Sequence, residues 1–373
     1  MTLFAEGWSA AQSFRRRPPR RVRVGWAMLV IALIGILVFA LLPSPYVIER
    51  PGPVFDTLGS VTINGKLTPM IEIPGQKTWA TTGSLDMLTV NMSGDPTSLP
   101  NWLDVATAWF DPSQAVLPVD SVYPAGYSVD ESNKQGTIDM QNSQKDAIAA
   151  ALRSLGHEVP ATVTVEDIPK GSPALGVLKI GDTILDVEGI GVDSVAGLRK
   201  AIAAQKAGTV LSVGVLRGSE TRTVKATSVS SGGAHPVPIL GIGVAINYDF
   251  PFEVKIQLEN VGGPSAGQIF ALGIIDKLTP GSLIDGKHVA GTGTIDDSGV
   301  IGPIGGIRQK MHGAVRAGAT IFLAPQGDCE EVVGHVPDGL KVFAVKTLDD
   351  SLADLKVIAS GGDTSALRTC SAS

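Results

Sequence analysis

Little in this chain suits a metal, a nucleotide or a nucleic acid. It has two cysteines, no H-E-x-x-H string and no paired Cys/His cluster, so no metal site is expected. The nearest approach to a phosphate loop is Gly281 to Gly286 followed by Lys287-His288. It lacks the Ser or Thr that would hold magnesium, and reads as a turn. The 30 basic side chains are outnumbered by 36 acidic ones, and no basic stripe forms beyond the first few residues. Nucleic acid is therefore a poor partner, and no cofactor is expected. Aromatics are scarce at 5%, yet 44% of the residues are hydrophobic and 44 of 373 are glycine, which describes a folded, turn-rich chain and not a disordered one. Its length allows two modest domains plus a membrane segment.

The one long apolar run, VGWAMLVIALIGILVFALL from Val24 to Leu42, carries no charge and matches a bilayer in length. Arg15, Arg16, Arg17, Arg20, Arg21 and Arg23 precede it. By the positive-inside rule that cluster stays in the cytoplasm and the chain after Pro43 lies outside. A cleaved signal peptide is the alternative, but its apolar core is usually shorter and ends on small residues, whereas this run exits as FALLPSPY. Both cysteines, Cys329 and Cys370, fall in the exported part, where a disulfide is permitted. Their spacing alone does not decide between a bridge and two free thiols.

Beyond the anchor, Pro/Gly-rich turns separate short strands such as LDMLTVNM. The pattern then changes to SQKDAIAAALRSL, predicting an amphipathic helix capped by Ser143 and ended by Gly156. The next stretch reads as strand, turn, strand, helix and two strands. Its GSPA (Gly171 to Ala174), LKIGDTI (Leu178 to Ile184) and the turn at Val187 to Gly189 resemble a PDZ domain of the bacterial protease type, though no GLGF-type carboxylate-binding tetrapeptide stands out. The resemblance implies that an extended peptide adds as a strand beside an exposed edge, holding a substrate or an adaptor. After the linker SVSSGGAHPVP, strands (ILGIGVAI, EVKIQLENV) alternate with helices (AGQIFALGIIDKL, IRQKMHGAVRAG).

Gly263-Pro264-Ser265-Ala266-Gly267 sits between a strand-like and a helix-like segment. A hydroxyl there would lie beside outward-pointing backbone N–H groups, those of Ser265 and Ala266, able to hold a developing oxyanion. A plain helix cap fits the string equally well, and a serine nucleophile also needs a base. On a helical wheel Lys310 keeps company with Gly306, Ile307, Gly313, Ala314 and Ala317, a small apolar face, while Arg308, His312 and Arg316 point elsewhere. Burial there would depress the lysine pKa and supply a neutral amine.

Together these motifs resemble the proteolytic domain of Lon-type Ser-Lys proteases. GPSAG is followed by Pro303-Ile304-Gly305-Gly306, Lys310, Arg316-Ala317-Gly318 and the strand TIFLAP, with Ala290-Gly291-Thr292-Gly293 between. The resemblance covers about residues 240 to 350, with SQKDAIAAALRSLG as a further match, which would make the PDZ-like unit an insertion. It implies Ser265 and Lys310 as catalytic pair and Thr292 orienting the lysine. With the family's ATPase module missing, the chain resembles the bacterial membrane-anchored, PDZ-containing Lon-type proteases, which are expected to work without ATP. Gly262 stands where such proteases often carry an acidic residue.

The expected architecture is α+β: a basic tail (1–23), a transmembrane helix (24–43), an extracytoplasmic region (44–160), a PDZ-like domain (161–232), a Lon-type α/β proteolytic domain (236–360) and a tail (361–373). The expected function is a membrane-anchored serine endopeptidase acting on protein or peptide substrates outside the cytoplasmic membrane, with an adaptor peptide at the PDZ-like domain and the oligomeric state open. Two rivals remain at this stage. One is a non-catalytic PDZ scaffold; the other is a Ser-His-Asp hydrolase drawing its base from His288, His312 or His335.

Overall fold

The computed structural model describes residues 19–123, 129–231, 237–259 and 261–371. Arg15 to Arg17, part of the basic cluster, and residues 232–236 of the linker lie outside them. The described chain divides into two compact units, a smaller one within 1–48 and 92–125 and a larger one within 49–91 and 126–373.

In the smaller unit, Arg20–Leu41 forms a 22-residue helix (α1) with no buried residue. It is long and apolar enough to cross a membrane, and a signal sequence near the N-terminus meets the same description. Trp102–Trp109 (α2) is capped by Asn101, whose side chain accepts from the Leu103 and Asp104 N–H groups. Ile48, Val105 and Ala108 form a small core beside the edge-to-face pair Tyr46 and Trp102.

The chain enters the larger unit along Tyr46–Asp56 (β1) and returns along Ser84–Ser93 (β2). Val129–Ser154 (α3) follows, then Ala161–Asp167 (β3), Thr183–Val187 (β4), Val195–Ala203 (α4), Val210–Arg217 (β5), Glu220–Thr227 (β6) and Gly243–Tyr248 (β7). The remainder alternates: Gly267–Leu278 (α5), His288–Gly291 (β8), Ile307–Ala317 (α6), Ile321–Pro325 (β9), Lys341–Val345 (β10) and Leu348–Ala359 (α7).

Two sheets result, and the expected α+β mixture is what the structure has. One runs β10-β9-β8-β2-β1, with β8 parallel to both β2 and β9 and β9 parallel to β10. It therefore takes strands from before and after the β3–β7 region. IFLAP is buried along its whole length and KVFAV along all but its first residue, as suits parallel strands covered on both faces. α5 is buried from Gly267 to Asp276, because its residues are apolar on nearly every side and it packs against α3. Ala147 to Leu152 of α3 share that core with Ile269, Phe270 and Leu272.

The second sheet is antiparallel, in the order β6-β5-β4-β3-β7, with a separate core built from Val163, Ile184, Val213 and Leu198 of α4. Arg217 donates twice to Asp182, the residue after the Gly181 turn at φ +89°, and pins that corner.

Three expectations need correction. Ser143 is not an N-cap: α3 begins at Val129, and Ser143 sits buried in mid-helix. Of EVKIQLENV, only Lys255–Ile256 pairs as a strand among the described residues, with Ile71–Glu72. ILGIGVAI does not join the catalytic sheet. As β7 it pairs with β3 (Ile246 opposite Val163, Val244 opposite Val165), so chain beyond the linker completes the sheet of the PDZ-like region.

Candidate active site

Ser265 lies just before α5, in a loop held from two sides. Gly263 (φ +87°) donates its N–H to the Gly136 carbonyl at 2.8 Å, and the Ser143 hydroxyl donates to the Pro264 carbonyl at 2.8 Å; both partners belong to α3. From the β8 side, the Gly293 N–H and the Thr292 hydroxyl donate to the Ser265 carbonyl, each at 2.9 Å. Among the described residues nothing accepts from the N–H groups of Ser265 and Ala266, the two amides expected to face an oxyanion.

Gly262 follows from the same packing. A Cβ at 262 would lie 3.2 to 3.4 Å from the backbone of Gly136, so the loop lies directly on α3 and a side chain there would push it off. The absent acidic residue is thus the counterpart of a close backbone approach.

Lys310, on α6, is 2% exposed. Its Nζ lies 2.8 Å from Ser265 Oγ and donates to Thr292 Oγ1 at 3.1 Å. Thr292 is fully buried and touches both the lysine and the serine backbone, so one side chain ties the Ser265 loop to α6. Burial lowers the Lys310 pKa from the usual 10.5 to about 8, against the opposing pull of the Glu49 and Asp328 carboxylates.

Those two carboxylates were not anticipated. Glu49, on β1, is 8% exposed, and burial raises its pKa. Its Oε1 would lie 2.6 Å from a Cβ added at Gly306, so Gly306 (φ +69°) is required both by backbone conformation and by room for that carboxylate. Asp328 accepts from the Ile304 N–H at 3.1 Å and so braces the Pro303–Gly306 turn that introduces α6; burial raises it to about 6. Nothing in the spacing of VIERPGPVF marks Glu49 as a neighbour of Lys310, since the approach is made by packing of α6 against the sheet.

The serine and lysine open onto a cavity of about 380 Å³, lined on its apolar side by Phe55, Met87, Met140 and Val261. The histidines lie elsewhere. His288 pairs with Asp86 at 2.6 Å and His335 contacts the Val333 carbonyl. His312 sits on α6 with its own partner, two residues from the lysine whose amine holds Ser265 Oγ. Cys329 and Cys370 are joined by a disulfide. Among the described residues no group of three or more His, Cys, Asp or Glu is placed to hold a metal ion.

A second concavity, of about 640 Å³, lies between α4 and the start of β7. Val195, Leu198 and Ile202 line one wall and Leu240, Ile242 and Val244 the other, with Arg199 beside them. The outer edge of β7 pairs with no strand among the described residues. Gly241 takes φ +67°, and nothing described accepts from the Gly241 and Ile242 N–H groups. This Leu-Gly-Ile-Gly loop lies after the other strands of that sheet and not before them.

Comparison with known proteins also finds two domains, although the first match begins within α3 and ends before β7. Residues 136–227 match the PDZ domain family, and residues 260–357 match the Lon protease (S16) C-terminal proteolytic domain. A Lon protease of Geobacter metallireducens is 36% identical over 109 residues, 28% of this chain and 13% of that protein. Lon protease 2 of Herpetosiphon aurantiacus is 43% identical over 93 residues, 24% of this chain and 11% of that one. Lon protease 2 of Bacillus subtilis is 28% identical over 166 residues, 42% and 29% respectively. The chain thus spans less than a third of the length of each of these relatives. Among solved structures, the PDZ domain of an SdrC-like protein from Listeria monocytogenes aligns with 22% identity over 22% of this chain and 85% of that one, at a TM-score of 0.21. The chain joins a PDZ domain to a proteolytic domain of the Lon family, and Ser265 and Lys310 both lie in the latter.

Proposed function

We propose that the protein is a serine endopeptidase with a Ser265–Lys310 dyad, acting without ATP on proteins outside the cytoplasmic membrane. The observation that carries this reading is the buried Lys310 amine, 2.8 Å from the Ser265 hydroxyl, with a pKa of about 8. In its neutral form the amine accepts the hydroxyl proton as Oγ attacks the scissile carbonyl carbon. The oxyanion that forms is held by the N–H groups of Ser265 and Ala266. The lysine ammonium then donates that proton to the departing amine, leaving an acyl ester on Ser265. Water gives a proton to the neutral lysine as its oxygen attacks the ester carbon, and the lysine ammonium returns that proton to Oγ as the acid departs, restoring the serine hydroxyl and the neutral amine. Thr292 keeps the amine aimed at Oγ through this cycle, and the apolar cavity receives a substrate side chain beside the scissile bond.

α1 serves as the anchor in this reading, with the arginine cluster inside and the catalytic domain outside. Independence from ATP rests on the missing Ser or Thr after the only phosphate-loop-like string. The groove between α4 and β7 recruits substrate or adaptor by adding an extended segment to the free strand edge. The test uses full-length protein in detergent and an unfolded protein as substrate. Hydrolysis should proceed equally with and without ATP and magnesium and vanish in Ser265→Ala. A requirement for ATP, or survival of activity in Ser265→Ala, contradicts the reading. Sidedness is tested on membrane vesicles of known orientation, in which added protease should reach the domain after Pro43 only from the outer face.

A further inference from the structure

The strand that borders the peptide groove is also tied to the nucleophile loop. β7 ends at Tyr248, whose hydroxyl donates to Asp146 Oδ1 at 2.6 Å while its ring stacks on Phe250 at 5.5 Å. Asp146 lies on α3, three residues after Ser143, and residues three apart on a helix share a face. Ser143 holds the Pro264 carbonyl, and Gly136, two turns earlier, holds the Gly263 N–H. One helix therefore grips the end of the groove strand and the two residues that precede Ser265. Its C-terminal end is fixed in turn by Arg153, which pairs with Asp297 at 2.7 Å and donates to the Val159 carbonyl.

From this chain of contacts we infer that Tyr248 and Asp146 are positioning residues for Ser265, through which a peptide docked along β7 activates acylation. The inference rests on the reading of Ser265 as nucleophile. The occupant it calls for is the C-terminal segment of an extended chain with apolar side chains. Among the described residues the outer β7 edge pairs with no strand, apolar side chains line both walls of the groove, and Arg199 with the unengaged amides of Gly241 and Ile242 suits a terminal carboxylate. A segment hydrogen-bonded along Gly243–Tyr248 narrows the positions open to Tyr248. It thereby favours the arrangement in which Asp146, and with it α3, holds the Ser265 loop in attacking position.

The experiment uses full-length protein in detergent. The probe is a fluorescein-labelled pool of decapeptides, randomised among Ala, Val, Leu, Ile and Phe at the last four positions, with free carboxylates; the control pool is C-terminally amidated. Binding is read by anisotropy, and acylation by the rate of Ser265 labelling with a small fluorophosphonate that does not depend on the groove for binding. In the native protein the free-carboxylate pool should bind and speed labelling about fivefold or more, while the amidated pool does neither. Tyr248→Phe, which keeps the ring and removes the hydrogen bond, should bind the pool within about twofold of native, with no remaining acceleration. Exposed Arg199→Glu should lose binding and acceleration together. Undiminished acceleration in Tyr248→Phe, native binding that leaves labelling unchanged, or no binding of the pool each overturns the inference. Absence of Ser265 labelling under every condition, with binding intact, overturns the nucleophile reading and this inference with it.

Discussion

The ionisation of Lys310 offers the sharpest quantitative test of the proposed mechanism. With a pKa of about 8, roughly a tenth of the amine is neutral at pH 7 and roughly nine tenths at pH 9. The single-turnover rate of Ser265 acylation should therefore rise about tenfold over that interval, with its midpoint near pH 8. Glu49 and Asp328 both favour the charged lysine, so Glu49→Gln should shift the midpoint to lower pH by up to about one pH unit. The same change should raise the rate at pH 7, provided the Gly306 turn against which Glu49 packs is unmoved. Lys310→Ala and Lys310→Arg should both fail across the range, since a guanidinium stays protonated. His312→Ala should keep the native profile. The assay is the pH dependence of fluorophosphonate labelling, which reads acylation without substrate binding or product release. A profile flat from pH 7 to 9, a midpoint near 6.5, or a midpoint that Glu49→Gln moves upward would refute the reasoning.

Further expectations follow from the same geometry. The Lys310 pKa is depressed, so the unfolded chain binds the proton more tightly and stability rises with pH between about 8 and 10.5. Below pH 8 the buried charge costs about 3 kcal/mol, and Lys310→Met, which removes the charge and keeps the bulk, should be inactive but more stable to urea at pH 7. Gly262→Asp, which restores the acidic residue common in Lon-type proteases, should lower the labelling rate about tenfold or more, because its Cβ displaces the loop from Gly136; labelling at or above the native rate would show that the loop can yield. Reducing the Cys329–Cys370 bridge, which closes a 41-residue separation, should cost about 4 kcal/mol in urea unfolding on the chain-entropy estimate. An unchanged midpoint would mean that other contacts already hold the C-terminal segment.

The juxtaposition of Ser265 and Lys310 was legible in the sequence because both residues lie at or on elements with strong local patterns. GPSAG opens an apolar helix, and the wheel of Ile307–Ala317 puts Lys310 on its small, buried face, as the structure has it. Thr292 was placed by resemblance alone, and the structure puts its hydroxyl against both the lysine and the Ser265 carbonyl. Other features were out of reach for physical reasons. Glu49 approaches Lys310 because α6 packs against the sheet, and no local pattern encodes which strands a helix will cover. Ser143 looked like a cap because polar residues precede it, yet VDESNKQGTIDMQN is helical too: tertiary packing of Met140 and Ser143 against the nucleophile loop overrides its weak propensity. Leu240–Gly243 was visible as a string but not as the border of the groove beside α4, because its strand is last in the chain while its pairing partner β3 is first in that sheet.

The central claim is that Ser265 is a nucleophile activated by Lys310, and the most direct measurement is the site and rate of covalent capture. Full-length protein treated with a fluorophosphonate at pH 8.0, about the Lys310 pKa, and digested for mass spectrometry should carry the adduct on Ser265 alone. The adduct should be absent from Ser265→Ala and almost absent from Lys310→Ala and Lys310→Arg. An adduct on another residue, or a Lys310→Ala protein labelled on Ser265 at the native rate, would contradict the claim.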